Sequence, residues 1–302
     1  MKQLPLFSVL IANYNNGRYL QEAIDSVLEQ TCENWEVILV DDKSTDNSFE
    51  IYEKYKADSR FHIYYNEENK GCGYTKRRCA ELAHGELCGF LDPDDALIPN
   101  ALEVMVKAHT EHPECSLIYS TCYRYSGDRN AEMPIWDYIG AIPEESDFLI
   151  YQKKLVSHFV TFKRSFYVKT IGIDSSLSAA VDRDLYYKLE EVGHLLYIPI
   201  PLYYYRVNNS HSISEGSDKA YWNGHFNRVK SELNAMCRRM GGELYCRNEV
   251  EYKNYMRLLL KSYYSSSVFE FGKFVKYSFC YVRAHGYSLH SINHIIKIIR
   301  KI

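Results

Sequence analysis

Trp35-Glu36-Val37-Ile38-Leu39-Val40-Asp41-Asp42-Lys43-Ser44-Thr45-Asp46 is the stretch on which the fold turns. Its first six residues have the length and apolar character of a buried strand, and two adjacent carboxylates end it. Ser44, Thr45 and Asp46 then offer N-caps for a helix. Upstream lies a matching pair of elements. Phe7-Ser8-Val9-Leu10-Ile11-Ala12 is a second apolar run, and Leu20, Ala23, Ile24, Val27 and Leu28 follow at i, i+3, i+4, i+7 and i+8, one buried helix face. Downstream, Phe61 to Tyr65 reads as a strand, Lys76 to Ala83 as a helix, Leu87-Cys88-Gly89-Phe90-Leu91 as a strand and Ala101 to His109 as a helix. This alternation predicts an α/β fold, a mostly parallel sheet flanked by helices.

In such sheets ligands bind beyond the carboxyl ends of the strands. Asn13-Tyr14-Asn15 leaves the first strand, Asp41-Asp42 the second and Asp92-Pro93-Asp94-Asp95 the fourth, so all three clusters are expected at one crevice. Residues 126–160, with Gly127, Pro134, Gly140 and Pro143, are expected as a loop over it. Phe159 to Phe162, Leu195 to Ile198 and Tyr203 to Arg206 read as further strands, Val181 to Val192 as a helix, and the chain after Gly216 as helical.

At 302 residues the chain has room for two domains of roughly 150 residues each, or one large domain with an appendage. Its composition, 46% hydrophobic and 25% charged, excludes a disordered chain, and no apolar run reaches the roughly 18 residues of a membrane span. The run Leu4 to Ala12 reads as a strand, not a secretion signal: it contains Pro5 and Ser8 and lacks a small-residue cleavage pattern. Nine cysteines, an odd number with no C-x-x-C pair, point to free thiols in a reducing, cytoplasmic setting. Residues 216–302 carry 15 Lys and Arg against 6 Asp and Glu, a balance of +9 that leaves −12 on residues 1–215. An acidic body with a basic tail speaks against nucleic acid and for a tail that meets an anionic surface such as lipid.

Carboxylates at i and i+2 after a strand, as in Asp92 and Asp94, can converge on one hard cation; Mg²⁺ and Mn²⁺ take such oxygens and keep room for phosphates. The plainer alternative makes Asp95 the N-cap of a helix starting near Pro99. Asp41-Asp42 has a similar alternative as turn and cap, which leaves unexplained two adjacent carboxylates beside another acidic cluster.

In combination these motifs resemble family 2 glycosyltransferases of the GT-A fold. The matching stretches are residues 8–15, residues 35–46, Asn69-Lys70-Gly71, Ala83-His84-Gly85-Glu86 and residues 90–95, in family order over about 5–110. A weaker match resumes at Val181-Asp182-Arg183-Asp184-Leu185 and Pro201-Leu202-Tyr203-Tyr204-Tyr205-Arg206.

The resemblance implies a GT-A-like domain over 1–215 and a helical, aromatic, basic extension over 216–302. It implies a donor site in which Ala12 and Tyr14 line the nucleoside pocket. Asp42, with Asp41 beside it, bonds base or ribose, and Lys76 meets the diphosphate where relatives carry arginine. Arg77 and Arg78 are substitutes for that role. Asp94 would coordinate Mn²⁺ or Mg²⁺, with Asp92 binding through water or the donor's ribose. Asp182 would be the catalytic base. Relatives show Glu-Asp there, whereas this chain has Val181-Asp182, and Asp184 lies about 200° further round a helix. The implied reaction is inverting transfer from a nucleotide-sugar donor, UDP by family habit, to a glycan or lipid-linked acceptor.

Two rivals stand beside this reading: a sugar-1-phosphate nucleotidyltransferase and a non-catalytic nucleotide-sugar-binding scaffold. The first normally opens with a glycine-rich basic loop where this chain has Asn13-Tyr14-Asn15-Asn16-Gly17-Arg18. His211 in Ser210-His211-Ser212 and His158 read as a solvated loop residue and a structural residue, and Gly71-Cys72-Gly73 as a turn. The tail, with aromatic and basic residues mixed from Tyr252 to Tyr281, fits peripheral contact with a membrane surface or packing on the domain.

Overall fold

A computed structural model describes residues 5–127, 133–151, 153–207, 218–266 and 269–299. His211 and the closing residues 300–302 lie outside them. The strands are β1 (Phe7–Asn13), β2 (Trp35–Asp41), β3 (Phe61–Tyr65), β4 (Leu87–Phe90), β5 (Ala96–Leu97), β6 (Cys115–Tyr125), β7 (Val160–Lys163) and β8 (His194–Arg206). They form one sheet in the order β3-β2-β1-β4-β7-β6-β8-β5. β3, β2, β1 and β4 run parallel, as do β6 and β8, while β7 pairs antiparallel with β4 and β6, and β5 with β8. The sheet is therefore mixed, with its parallel half where the sequence alternates strand and helix.

The helices are α1 (Gly17–Leu28), α2 (Ser48–Tyr55), α3 (Cys72–Leu82), α4 (Ala101–Glu111), α5 (Arg164–Tyr167), α6 (Val181–Glu190), α7 (Asp218–Arg239), α8 (Glu243–Arg247), α9 (Glu249–Tyr264), α10 (Phe271–Ala284) and α11 (Leu289–Ile299). The expected face of α1 is buried at Leu20, Ala23, Ile24 and Val27, but Leu28 is 40% exposed. Eight residues on, a side chain has drifted about 80° from Leu20 and leaves the stripe. Ser26 is buried instead: it donates to Ala23 O at 2.7 Å and accepts from Leu97 N–H at 3.0 Å.

Two expectations are corrected. β6 was not foreseen; a run studded with Ser116, Ser120 and Thr121 hides its apolar pattern, yet these side chains are buried and bonded to main chain. The strands foreseen at Leu195 to Ile198 and Tyr203 to Arg206 are one strand, β8, which passes Pro199 and Pro201 by shifting register against β6. Of the three caps offered for α2, which starts at Ser48, Asp46 serves, accepting from Ser48 N–H at 3.0 Å and from Gly17 N–H at 2.7 Å, whereas Ser44 and Thr45 bond Asn15 instead.

The chain divides into two compact units. One comprises Met1–Ile142, Lys153–Leu177 and Lys188–Asn209 and holds the whole sheet; the other comprises Pro143–Gln152, Ser178–Tyr187 and Ser210–Ile302. The core of the first is β1, buried except at the partly buried Ala12, and the fully buried β2, with the α1 face and Cys79, Leu91, Leu102 and Met105. The second buries Leu233, Met236, Leu260, Tyr263, Phe274 and Tyr277 and also holds a buried polar knot. There Asp147 accepts from Arg239 at 3.3 Å and from Tyr252 OH and Asn248 Nδ2 at 3.1 Å each. All nine cysteines are free.

Candidate active site

Because β2, β1 and β4 are parallel neighbours, their carboxyl ends share one sheet edge. Asn13 stands in register with Asp41, and Asp42 N–H donates to Asn13 O at 2.8 Å. Phe90 pairs with Leu10, which brings Asp92, two residues on, level with Ala12. The three clusters do come together.

At the β1 and β2 exits, amides and hydroxyls lock the backbone. Asn15, at φ 53°, donates its N–H to Ser44 Oγ at 2.9 Å and accepts from Thr45 N–H at 2.7 Å; Lys43 is also left-handed, at φ 68°. Asp41 is buried, with one oxygen accepting from Ser44 N–H at 2.9 Å and the other from Tyr52 OH at 2.6 Å. Burial first, and the Asp41 carboxylate second, push the Tyr52 phenol far up. Asp42 accepts from Asn66 Nδ2 at 2.7 Å, Lys70 N–H at 2.8 Å and Gly71 N–H at 2.8 Å. It thereby pins the turn that opens α3. Gly71 sits at φ 85° and serves the turn as expected, whereas Gly73 lies within α3, where a Cβ would meet Leu177 O at 2.5 Å, so that glycine admits a close backbone approach and not a turn.

Asp41, Lys43, Ser44, Phe49, Tyr52, Tyr65 and Asn66 line a depression of about 310 Å³, at the small end of the range for ligand pockets. Ala12 is partly buried and Tyr14 exposed at the β1 exit, and neither lines this depression.

The acidic cluster after β4 is the electrostatic centre. Lys76, only 7% exposed, places Nζ 2.9 Å from Asp92 Oδ1. Burial works to raise the Asp92 carboxyl, but Lys76 and His158 outweigh it and hold the group below its ordinary range. Asp95 is buried, not a helix cap: its Oδ1 accepts from Arg206 N–H at 2.7 Å, and α4 starts after Asn100. Burial first, then the charges of Asp94 and Asp92, push the Asp95 carboxyl well up. Asp94 is partly buried and its carbonyl accepts from Arg206 Nε at 2.7 Å. Arg206 also pairs with Glu22 of α1 and lies 4.6 Å from the Tyr19 ring and 4.8 Å from the Tyr125 ring.

Arg77 is turned to Glu81 and to the carbonyls of Ile171 and Ile173, whereas Arg78 bonds Tyr65 O and Asn66 at the edge of the site. His158, expected as merely structural, stacks on Tyr203 and Tyr205 and bears electrostatically on Asp92. Asn66, Tyr203 and Arg206 escaped the sequence reading as site residues; their signal is long-range pairing, which local pattern does not carry. Asp182 stands in the first turn of α6, in the second unit, two positions before the buried Asp184.

The chain is 28% identical over 236 residues to a chondroitin synthase of Escherichia coli, covering 78% of this chain and 34% of that protein. It is 29% identical over 235 residues to a hyaluronan synthase of Pasteurella multocida, covering 78% and 24%. The chain thus spans about a quarter to a third of these relatives' length. Among solved structures, S. aureus TarS 1-349 in complex with UDP-GlcNAc superposes with a TM-score of 0.62 at 16% identity, covering 97% of this chain and 89% of that one. A mannosyltransferase, PcManGT from Pyrobaculum calidifontis in complex with GDP-Man and Mn²⁺, superposes with a TM-score of 0.61 at 16% identity, covering 98% and 80%. The fold is GT-A. Residues 8–172, more than half of the sequence, match the model for glycosyl transferase family 2, and the chain belongs to that family.

Proposed function

We propose that this chain is an inverting, metal-dependent glycosyltransferase that moves a sugar from a UDP-linked donor to a hydroxyl of a polysaccharide or lipid-linked oligosaccharide. The observation that carries this reading is the gathering of Asn13, Asp41-Asp42 and the Asp92–Asp95 cluster on one sheet edge, with Lys76 paired to Asp92. TarS structures in complex with UDP and with UDP-GlcNAc support the donor class, and the chondroitin and hyaluronan synthases support a glycan acceptor.

Asp94 and Asp92 would hold Mn²⁺ or Mg²⁺. The donor set fits, since it is all oxygen: Asp92 and Asp94, both only partly buried, leave the carboxyl end of β4 two residues apart. When bound, the cation neutralises the departing diphosphate. Lys76 adds a fixed positive charge beside it. Asp42 holds the Lys70-Gly71 turn in place for the nucleoside end of the donor. Asp182 accepts the proton of the attacking hydroxyl, and attack from the face opposite the diphosphate inverts the anomeric carbon.

A thermal-shift screen of UDP- and GDP-sugars with and without Mn²⁺, followed by transfer assays, tests the reading. Stabilisation by a UDP-sugar that needs Mn²⁺, with transfer abolished in Asp182→Asn while donor binding persists, is the expected result. Pyrophosphate exchange with UTP and a sugar 1-phosphate would instead favour the nucleotidyltransferase. Donor binding without turnover would favour the scaffold.

For the tail, no helix among the described residues is long and apolar enough to cross a membrane. Our reading is peripheral contact with anionic lipid: α10 exposes Phe271, Val275 and Phe279 at i, i+4 and i+8, with exposed Lys276 and Arg283 on the same helix. Flotation with anionic vesicles should be lost when the three apolar residues become serine. Unchanged flotation would remove the idea.

A further inference from the structure

The amino-terminal ends of β2 and β3 carry a second cluster that glycosyl transfer does not use. Glu36, the second residue of β2, is buried, and its Oε1 is saturated by Ser8 Oγ at 2.5 Å, His84 N–H at 2.8 Å and Gly85 N–H at 3.2 Å. Those three donors fix the carboxylate so that Oε2 meets two imidazoles, His84 Nδ1 at 3.0 Å and His62 Nε2 at 3.3 Å. His62 shares a sheet face with Glu36, because it stands in register with Ile38, two residues on. His84 comes from the connection between α3 and β4. Five residues of strand, roughly 17 Å, separate Glu36 from Asp41 at the other end of β2, so this cluster is remote from the crevice.

We propose that Glu36 Oε2, His62 Nε2 and His84 Nδ1 form a binding site for a divalent transition-metal ion, with zinc the ion it fits best. The three atoms lie within 4.8 Å of one another. Ligands at about 2.0–2.1 Å from a tetrahedral zinc stand about 3.3 Å apart, so the two oxygen–nitrogen spacings already match that geometry. Two imidazoles and one carboxylate select zinc and its neighbours in the first transition row over Mg²⁺ or Ca²⁺. The Ser8 hydroxyl and the two amides on Oε1 act as an outer shell that orients the ligating carboxylate. With three protein ligands the fourth position stays open to solvent, since His84 is 61% exposed. The bound ion joins β2, β3 and the α3–β4 connection, and so stabilises the parallel half of the sheet. This inference does not depend on the transferase reading.

The test uses the full chain without a histidine tag, because Asp92, Asp94 and the cysteines also attract metal. Zinc titration calorimetry on the wild type and on a His62→Ala/His84→Ala variant should show one more zinc per chain in the wild type. Ser8→Ala should weaken that site by about tenfold or more, as loss of an outer-shell partner does. Cobalt substituted at the same site should give a visible spectrum of nitrogen and oxygen ligation without thiolate charge transfer. Zinc should raise the melting temperature of the wild type more than that of the double variant. Equal zinc stoichiometry and affinity in the two proteins would leave a hydrogen-bonded triad only and overturn the proposal. So would a cobalt spectrum that the double variant reproduces.

Discussion

Lys76 Nζ lies 2.9 Å from Asp92 Oδ1, and the lysine is almost wholly buried while the aspartate is 31% exposed. Removing the cation strands a half-buried carboxylate beside Asp94 and Asp95. Breaking a fully buried pair costs about 3–5 kcal/mol, and the exposure of Asp92 lowers that to about 2 kcal/mol for Lys76→Met. Urea unfolding in chelator should show this loss, and donor titration should show weaker binding. Lys76→Arg should recover most of both. Equal stability of wild type and Lys76→Met would mean that the pair contributes nothing.

Asp42 is the only side chain seen bonding both Lys70 N–H and Gly71 N–H among the described residues. Asp42→Asn keeps the shape but turns one acceptor into a donor that faces an N–H. Hydrogen bonds to a charged group contribute about 1.5–3 kcal/mol each, so a loss of about 2 kcal/mol is expected. Faster hydrogen exchange at the amides of residues 70 and 71 is its local signature. Unchanged exchange there would show that the turn holds without Asp42.

The parallel half of the fold was legible because its strands are short apolar runs ended by carboxylates, a pattern that is local. The same runs made Asp41, Asp42, Asp92 and Asp94 readable as neighbours, since parallel strands share a carboxyl edge. What stayed hidden is what pairing across the chain decides. Arg206 meets Glu22 across 184 positions and Asp92 N–H meets Tyr203 OH across 111, and no periodicity records such distances. The sequence reading likewise gave β6 no strand, since Ser116, Ser120 and Thr121 read as polar until their main-chain partners are seen.

Arg206 shows how much rests on one such residue. Its guanidinium bonds Asp94 O and Glu22 while lying over two tyrosine rings. Lysine keeps the charge but has no planar fork to serve these partners together. Arg206→Lys should therefore cost about 2 kcal/mol, one charge-assisted bond, and loosen the loop that carries Asp94. Thermal unfolding reads the first effect. Weaker Mn²⁺-dependent donor binding reads the second, and stability equal to wild type would count against the argument.

His109 on α4 is buried, and its Nε2 lies 2.9 Å from Thr161 Oγ1. The threonine hydroxyl donates to Ile118 O at 3.1 Å, so the imidazole is the donor in their contact and is neutral. Burial first, and then the Lys163 charge, lower its pKa to about 3 from the ordinary 6.5. An imidazole so depressed takes up its proton more readily in the unfolded chain. Its stabilising contribution is whole above pH 6.5 and drains away as pH falls toward 3. Glu36, also lowered, acts in the same direction, but only below its ordinary 4.5. Asp95 and Glu232, both raised, and His225, lowered, contribute to wild type and His109→Gln alike, so the difference between the two proteins isolates this histidine. From pH 6.5 down to 4.5 the wild type should lose stability more steeply than His109→Gln, by up to about 1.4 kcal/mol per pH unit. Parallel curves of unfolding free energy against pH for the two proteins would show that this imidazole accepts a proton without opening the fold.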